Sequence, residues 1–321
     1  MRVLSGVQPS GDLHIGNYFG AIRQFVRLQQ DHECYYFLAD LHALTTVQDS
    51  ERMRRLILEL TAGFLALGLD PRRSVIYRQS DIPEIPELAW YLSTVTSMGL
   101  LQRCHSFKDK VAQGVVPNHG LFAYPVLMAA DILIVESDLV PVGKDQKQHL
   151  EVTRDIATSF HSTYGVEVFT LPDPMIHADV AVIPGLDGRK MSKSYGNTID
   201  LFGPENATRK RIMSIVTDST PVEEPKPTAG NALYHLLRVF APAEEQPSVE
   251  RAFTEGGTGY GELKKMLFEY FVETFGEARA RYAELVQDPG EVERILARGA
   301  QTARETAVPL MEKVRRAVGI R

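Results

Sequence analysis

Over residues 2–183, short apolar runs alternate with longer segments of helical period, and few folds accept that alternation. "RVLSGV" (2–7) reads as a strand that runs into the turn "QPSGD". The spacing then predicts a helix over 16–30, with Tyr18, Ile22, Phe25 and Val26 on one face. "CYYFLAD" (34–40) is a second buried strand and "SVIYRQS" (74–80) a third, either side of a clean helical period over 50–67. Helical patterns at 84–103 and 125–136, a strand at 139–142, a helix at 145–163 and strands near 166–170 and 179–183 complete the series. Strands joined through helices require right-handed crossovers, hence a parallel sheet covered on both faces. Ligands bind such sheets at the carboxyl ends of the strands, so the turns at 8–14, 40–45 and 143–146 should converge on one crevice.

The pattern changes after residue 195. "PVEEPKPTAG" (221–230) is proline-rich and polar, and everything beyond it is helical in period, including Leu263, Leu267, Tyr270, Phe271 and Phe275. The expected organisation is an α/β, doubly wound parallel, Rossmann-like domain over 1–195 with a helical insertion near 84–135. A smaller all-helical domain over 196–295 follows, and a last helix, 296–321, packs back on the first domain. At 321 residues the chain can bury one large core and a smaller one.

Several classes drop out. No run approaches the roughly 20 apolar residues of a membrane span, and "MRVLSGVQPSG" resembles neither a secretion signal nor a transit peptide. Cys34 and Cys104 cannot make a disulfide framework or a metal site by themselves, so no protein-bound metal and a reducing, cytoplasmic setting are expected. A net charge of −6 argues against non-specific coating of nucleic acid. It leaves room for local basic surfaces at "RKMSKS", "TRKR" and "KVRRAVGIR", each of which also reads as ordinary solvated surface.

Three stretches carry candidate chemistry. "LMAADILIV" (127–135) is apolar except for Asp131, and a buried carboxylate costs several kcal/mol unless the fold or a ligand pairs it. A helix beginning near Pro125 would put Tyr124, Met128, Asp131 and Val135 on one face. "QPSGDLHIGN" (8–17) places His14, Gly16 and Asn17 at a helix mouth suited to an anion, or is an ordinary strand-to-helix turn. "GRKMSKS" (188–194) gives two cations, Lys190 and Lys193, on a loop after a glycine turn.

Taken together, His-x-Gly-Asn and Lys-Met-Ser-Lys-Ser about 175 residues apart resemble the paired motifs of class I aminoacyl-tRNA synthetases. "SGVQPSGDLHIGNYFGAIRQF" (5–25), "YPVLMAADIL" (124–133) and "VPVGKDQKQHLEVTRDIA" (140–157) narrow the resemblance to the bacterial-type tryptophanyl-tRNA synthetases, over essentially the whole chain. The resemblance implies ATP-dependent activation of L-tryptophan and transfer to tRNA(Trp), by a homodimer. Mg2+ would enter through the ATP phosphates.

By the same resemblance, Asp131 accepts the indole N–H, with Gly6, His42, Tyr124, Met128, Val140, Val142 and Gln146 around the amino acid. Gln8, Pro9, Ser10, His14, Gly16, Asn17, Gly143, Lys144, Asp145, Val182, Met191, Ser192 and Ser194 fall to ATP. Lys110, Lys190 and Lys193 fall to its phosphates. Asn17 stands where the wider class has His, and Lys144 and Leu4 differ from the residues usual beside the substrate. Three rivals remain: a tyrosyl-tRNA synthetase, a small nucleotidylyltransferase with a similar first turn, and a non-catalytic paralogue.

Overall fold

The structure, a computed structural model, describes residues 1–104, 118–143, 147–176 and 182–320. Strands β1 (Arg2–Val7), β2 (Glu33–Leu38), β3 (Ser74–Arg78), β4 (Leu139–Val142) and β5 (Asp173–Ile176) form one sheet in the order β3-β2-β1-β4-β5. Every pairing is parallel. The order reverses beside β1, which puts the ends of β1 and β4 at the switch point where such sheets bind ligands.

Alternation along the strands divides the core. Val3, Cys34, Tyr36, Leu38 and Ile76 point into one cluster, while Leu4, Tyr35, Phe37 and Tyr77 point into another. Helix α1 (Ile15–Asn17), a π turn (Tyr18–Ile22) and α2 (Arg23–Leu28) run on from one another after β1. With α3 (Asp40–Ala43) and α4 (Ser50–Ala66), they follow the pattern read from the sequence. Asp49 starts α4 by accepting from the Arg52 amide.

Five expectations change. The pattern at 84–103 is two helices, α5 (Glu84–Val95) and α6 (Met98–Arg103), because Ser97 caps a new start by accepting from the Leu100 amide. Helix α7 (His119–Ile134) begins six residues before Pro125, with Asn118 accepting from the Leu121 amide as its cap. Val135, expected on the Asp131 face, closes that helix and is buried in the core. After α8 (Lys147–Tyr164), residues 166–170 form no strand: Nε2 of His161 accepts from the Val168 and Phe169 amides, taking the donors a ladder would use. The last strand is β5 instead. Of the strand expected at 179–183, residues 179–181 lie outside the described residues, and Val182 and Ile183 are not in a strand.

Helices α9 (Glu205–Met213), α10 (Ala232–Phe240), α11 (Gln246–Thr254) and α12 (Tyr260–Gln287) share the first cluster through Ile212, Leu233, Leu237, Phe253, Leu267 and Phe271. Helix α13 (Pro289–Val318) passes from one cluster to the other: Val292 and Leu296 belong to the first, Ala300 through Val314 to the second. The change of partner falls at Gly299, where an added Cβ would lie 1.9 Å from the Ile76 carbonyl oxygen. Only glycine allows helix and strand so close. Arg304 and Arg315 then fork onto Glu84 and Glu87 of α5, tying the C-terminal helix to the wall that carries α7. No described helix is long and apolar enough to cross a membrane.

Candidate active site

Where β1, β2 and β4 end, a cavity of about 520 Å3 opens against the side of α7. That size suits one small-molecule side chain and part of a second ligand. Gly6, His42, Tyr124, Met128, Asp131, Val140 and Val142 all line it, as do Gln8 and Gly143. Turns separated by more than 100 residues in sequence thus meet in one crevice, as the sheet topology requires.

Asp131 is fully buried, and the fold supplies its partners. Nε2 of His42 lies 2.8 Å from Oδ2, and Nε2 of Gln79 donates to Oδ1 at 2.7 Å. Burial drives the Asp131 carboxyl above the usual carboxylate range, and the bonds from His42 and Gln79 oppose that. Towards an ionised carboxylate, which only accepts, His42 donates from the tautomer that carries its proton on Nε2. Each oxygen keeps a lone pair that these two partners do not use.

Gln79 is itself fixed, because its Oε1 accepts from the Leu41 amide. Asp40 accepts from the Ser80 amide and hydroxyl, which knits the turn after β2 to the turn after β3. Gly6 gives the Phe37 ring its place: a Cβ there would come within 2.3 Å of the ring. His42 and His149 flank the Tyr124 ring edge-on, at 6.3 and 5.8 Å between centroids.

The first turn follows. Pro9 is buried, Gln8 and Ser10 are exposed, and Gly11 adopts φ +135°, which side-chain-bearing residues rarely accept. Lys193 folds over that glycine, its Nζ 3.5 Å from where a Cβ would sit. His14 is buried, and its Nδ1 has no hydrogen-bond partner among the described residues. A Cβ on Gly16 would lie 2.9 Å from that Nδ1. Asn17 turns inward and accepts from the His14 amide at 3.0 Å, so it shapes the helix entry.

Burial holds the His14 imidazole at about 4, with the Lys193 ammonium adding to the effect. Its unfolded value is about 6.5, so the unfolded chain takes up the proton first as the pH falls. The stability due to neutral His14 is complete above pH 6.5 and declines towards pH 4. Between pH 7 and 5 the loss is on the order of 2 kcal/mol. Urea unfolding at both pH values should show this loss in the wild type and not in His14→Gln. An equal loss in both would assign it to other groups.

The lysine loop is a small hairpin, with Met191 N donating to the Ile183 carbonyl at 2.8 Å and Pro184 bridged to Lys190. Met191 is buried beneath the first turn, so it supports the loop from below. Ser192 accepts from the Ser194 amide. Lys190 and Val182 do not join the Asp131 cavity: they line a separate groove between the hairpin and α10, facing His235 and Arg238. Lys110, Lys144, Asp145 and Gln146 lie outside the described residues. Phe37, Gln79, His149 and Asn197 were not among the residues singled out in the sequence. Of these, Phe37 and Gln79 sit at strand ends, where the crevice rule alone points.

Comparison with known proteins agrees with this geometry. Residues 1–276 match the family described as tRNA synthetases class I (W and Y). A tryptophan–tRNA ligase of Rhodopirellula baltica is 52% identical over 321 residues, covering 100% of both chains. The crystal structure of tryptophanyl-tRNA synthetase from Campylobacter jejuni complexed with ADP and tryptophan is similar with a TM-score of 0.95 at 49% identity, covering 99% of this chain and 100% of that one. A tyrosyl-tRNA synthetase from Archaeoglobus fulgidus shares the fold, with a TM-score of 0.67 at 21% identity over 88% of this chain and 90% of that one. On the strength of the family match and of these full-length relatives, this chain belongs to the class I tRNA synthetases of the tryptophan and tyrosine family.

Proposed function

We infer that the chain joins L-tryptophan to tRNA(Trp) at the expense of ATP, and the observation that carries this is Asp131. A fully buried carboxylate at the wall of a cavity lined by Phe37, Tyr124, Met128 and Val140, held by His42 and Gln79, suits a flat side chain with one N–H donor. Phenylalanine leaves that acceptor unpaired, and smaller side chains leave a void. The relatives near 50% identity are tryptophan ligases, which favours tryptophan over tyrosine.

In the first step the tryptophan carboxylate attacks the α-phosphorus of ATP in line. The bond to the β-phosphate oxygen breaks, giving tryptophanyl-adenylate and pyrophosphate. A carboxylate is already a nucleophile at neutral pH, so the chain's task is positioning and charge stabilisation. Gly6, Tyr124, Met128, Val140 and Val142 orient the amino acid. Gln8, Ser10, His14, Gly16 and Gly143 border the ATP side, and Lys193 with Lys190 gathers charge around the β- and γ-phosphates. Mg2+ would enter with ATP and would supply charge neutralisation at its phosphates. In the second step a hydroxyl of the terminal ribose of tRNA attacks the acyl carbon and AMP leaves.

The helical region over 196–295 is assigned to the anticodon. A homodimer would cover exposed apolar side chains such as Trp90 of α5 and Met98 of α6. A cytoplasmic setting fits this reaction. ATP–pyrophosphate exchange on the purified protein, with tryptophan and tyrosine in parallel, tests the reading. Exchange is expected with tryptophan alone. Exchange with tyrosine, or with neither, overturns it.

A further inference from the structure

The segment over 196–203, between the lysine loop and α9, is gripped from three directions. On the loop side, Asn197 is buried and uses both ends of its amide. Its Nδ2 donates to Asp187 Oδ1 at 2.7 Å and to the Lys190 carbonyl at 3.2 Å, while its Oδ1 accepts from the Ser192 amide at 2.8 Å. One side chain therefore fixes the backbone on both sides of Met191. Gly185 leaves the room for it, since a Cβ there would fall 2.3 Å from the Asn197 amide group.

On the sheet side, the Ile15 amide donates to the Ile199 carbonyl at 3.0 Å, and the Leu201 amide to the Leu13 carbonyl at 2.9 Å. The first turn and the segment thus form a short ladder, with His14 opposite Asp200.

On the helical side, Arg211 of α9 donates from Nε to the Thr198 carbonyl and from Nη2 to the Gly196 carbonyl, both at 2.6 Å. Arg279 of α12 reaches the carbonyls of Leu201 and Gly203. Guanidinium groups bonded to carbonyls carry their charge without a carboxylate, and a fork onto two carbonyls fixes direction as well as distance.

We propose that Arg211 and Asn197 are positioning residues. Arg211 transmits the placement of the helical region to the 196–203 segment, and Asn197 passes it on to Lys190 and Lys193, which it keeps in register with the first turn. The inference rests on the ATP-dependent activation proposed above. It predicts that loosening Arg211 disturbs ATP and leaves the amino-acid cavity alone, because none of these contacts involves a residue lining that cavity.

The test is pyrophosphate exchange by wild type, Arg211→Gln, Arg211→Lys and Asn197→Ala, each also combined with Lys193→Ala. A misplacement of about 1 Å in a phosphate-binding group can cost on the order of 100-fold. Arg211→Gln and Asn197→Ala are expected to lower kcat/KM for ATP at least tenfold. Tryptophan binding, followed by fluorescence quenching, should stay within about twofold, and Arg211→Lys, which can reach one carbonyl, should recover part of the loss. In the Lys193→Ala background the same changes should cost clearly less than in the wild type, because one of the two groups they position is gone.

Equal losses in both backgrounds overturn the proposal, as do equal losses for ATP and tryptophan. A variant that melts lower but keeps wild-type kinetics when folded also overturns it, as a merely structural role. Absence of exchange in the wild type itself would strike the proposed activity instead, so the two failures are distinguishable.

Discussion

Asp131→Ala is expected to lower kcat/KM for tryptophan in pyrophosphate exchange by about 10⁴-fold, the scale on which a site built around one buried polar partner discriminates. The variant removes the acceptor for the indole N–H and also strands the His42 imidazole and the Gln79 amide, at roughly 1–3 kcal/mol for each group left unpaired. Part of the effect will therefore appear as a lower melting temperature. Asp131→Asn separates the two contributions: its oxygen can keep the Gln79 bond and its amide can donate to the other His42 tautomer, so it should melt higher than Asp131→Ala and still lose much of its tryptophan activity. The KM for ATP should change little in either variant. A folded Asp131→Ala protein with wild-type kcat/KM for tryptophan would make this acid a core residue bonded to His42 and Gln79 and nothing more.

How far such a site can be read from sequence depends on the range of the interactions. β1 through β4 were legible because strands buried on both faces are apolar runs bounded by turns, a local signal. The strand expected at 166–170 has the same signal, yet His161 takes its donors, and the edge position goes to Asp173–Ile176, whose proline gives no warning of a strand. Pro125 misplaced the start of α7 because proline favours a first helical turn, while the Asn118 cap that decides the matter lies seven residues earlier. Asp131 was visible as one polar residue in an apolar run. Its partner Gln79 was not, since a bond across 52 residues leaves no local trace. Asn197 is hidden for a different reason: it touches no side chain that lines the Asp131 cavity, and it holds the backbone of Lys190 and Ser192 together with the Asp187 carboxylate.

Lys193→Ala and Lys190→Ala are each expected to reduce kcat for exchange by about 10²–10³-fold, or roughly 3–4 kcal/mol, as for loss of one preorganised donor to developing charge. The two lysines start from different places. Lys193 lies over Gly11 at the first turn, and burial lowers its ammonium from the ordinary lysine range while Asp12 and Asp200 hold it up. A cation kept there meets the phosphates with little further ordering, so its loss should appear at once in kcat and in the KM for ATP. Lys190 lines the groove beside His235 and Arg238, so its exposed side chain has to swing out of that groove to reach the phosphates. Lys190→Ala should therefore leave the KM for ATP nearly unchanged and fall almost wholly on kcat, since an interaction made only in the transition state is lost from kcat alone. Tryptophan affinity should be untouched by either. Unchanged turnover in both variants would remove the loop from the reaction, and a rise in KM for ATP with Lys190→Ala would place its side chain on the nucleotide before any movement.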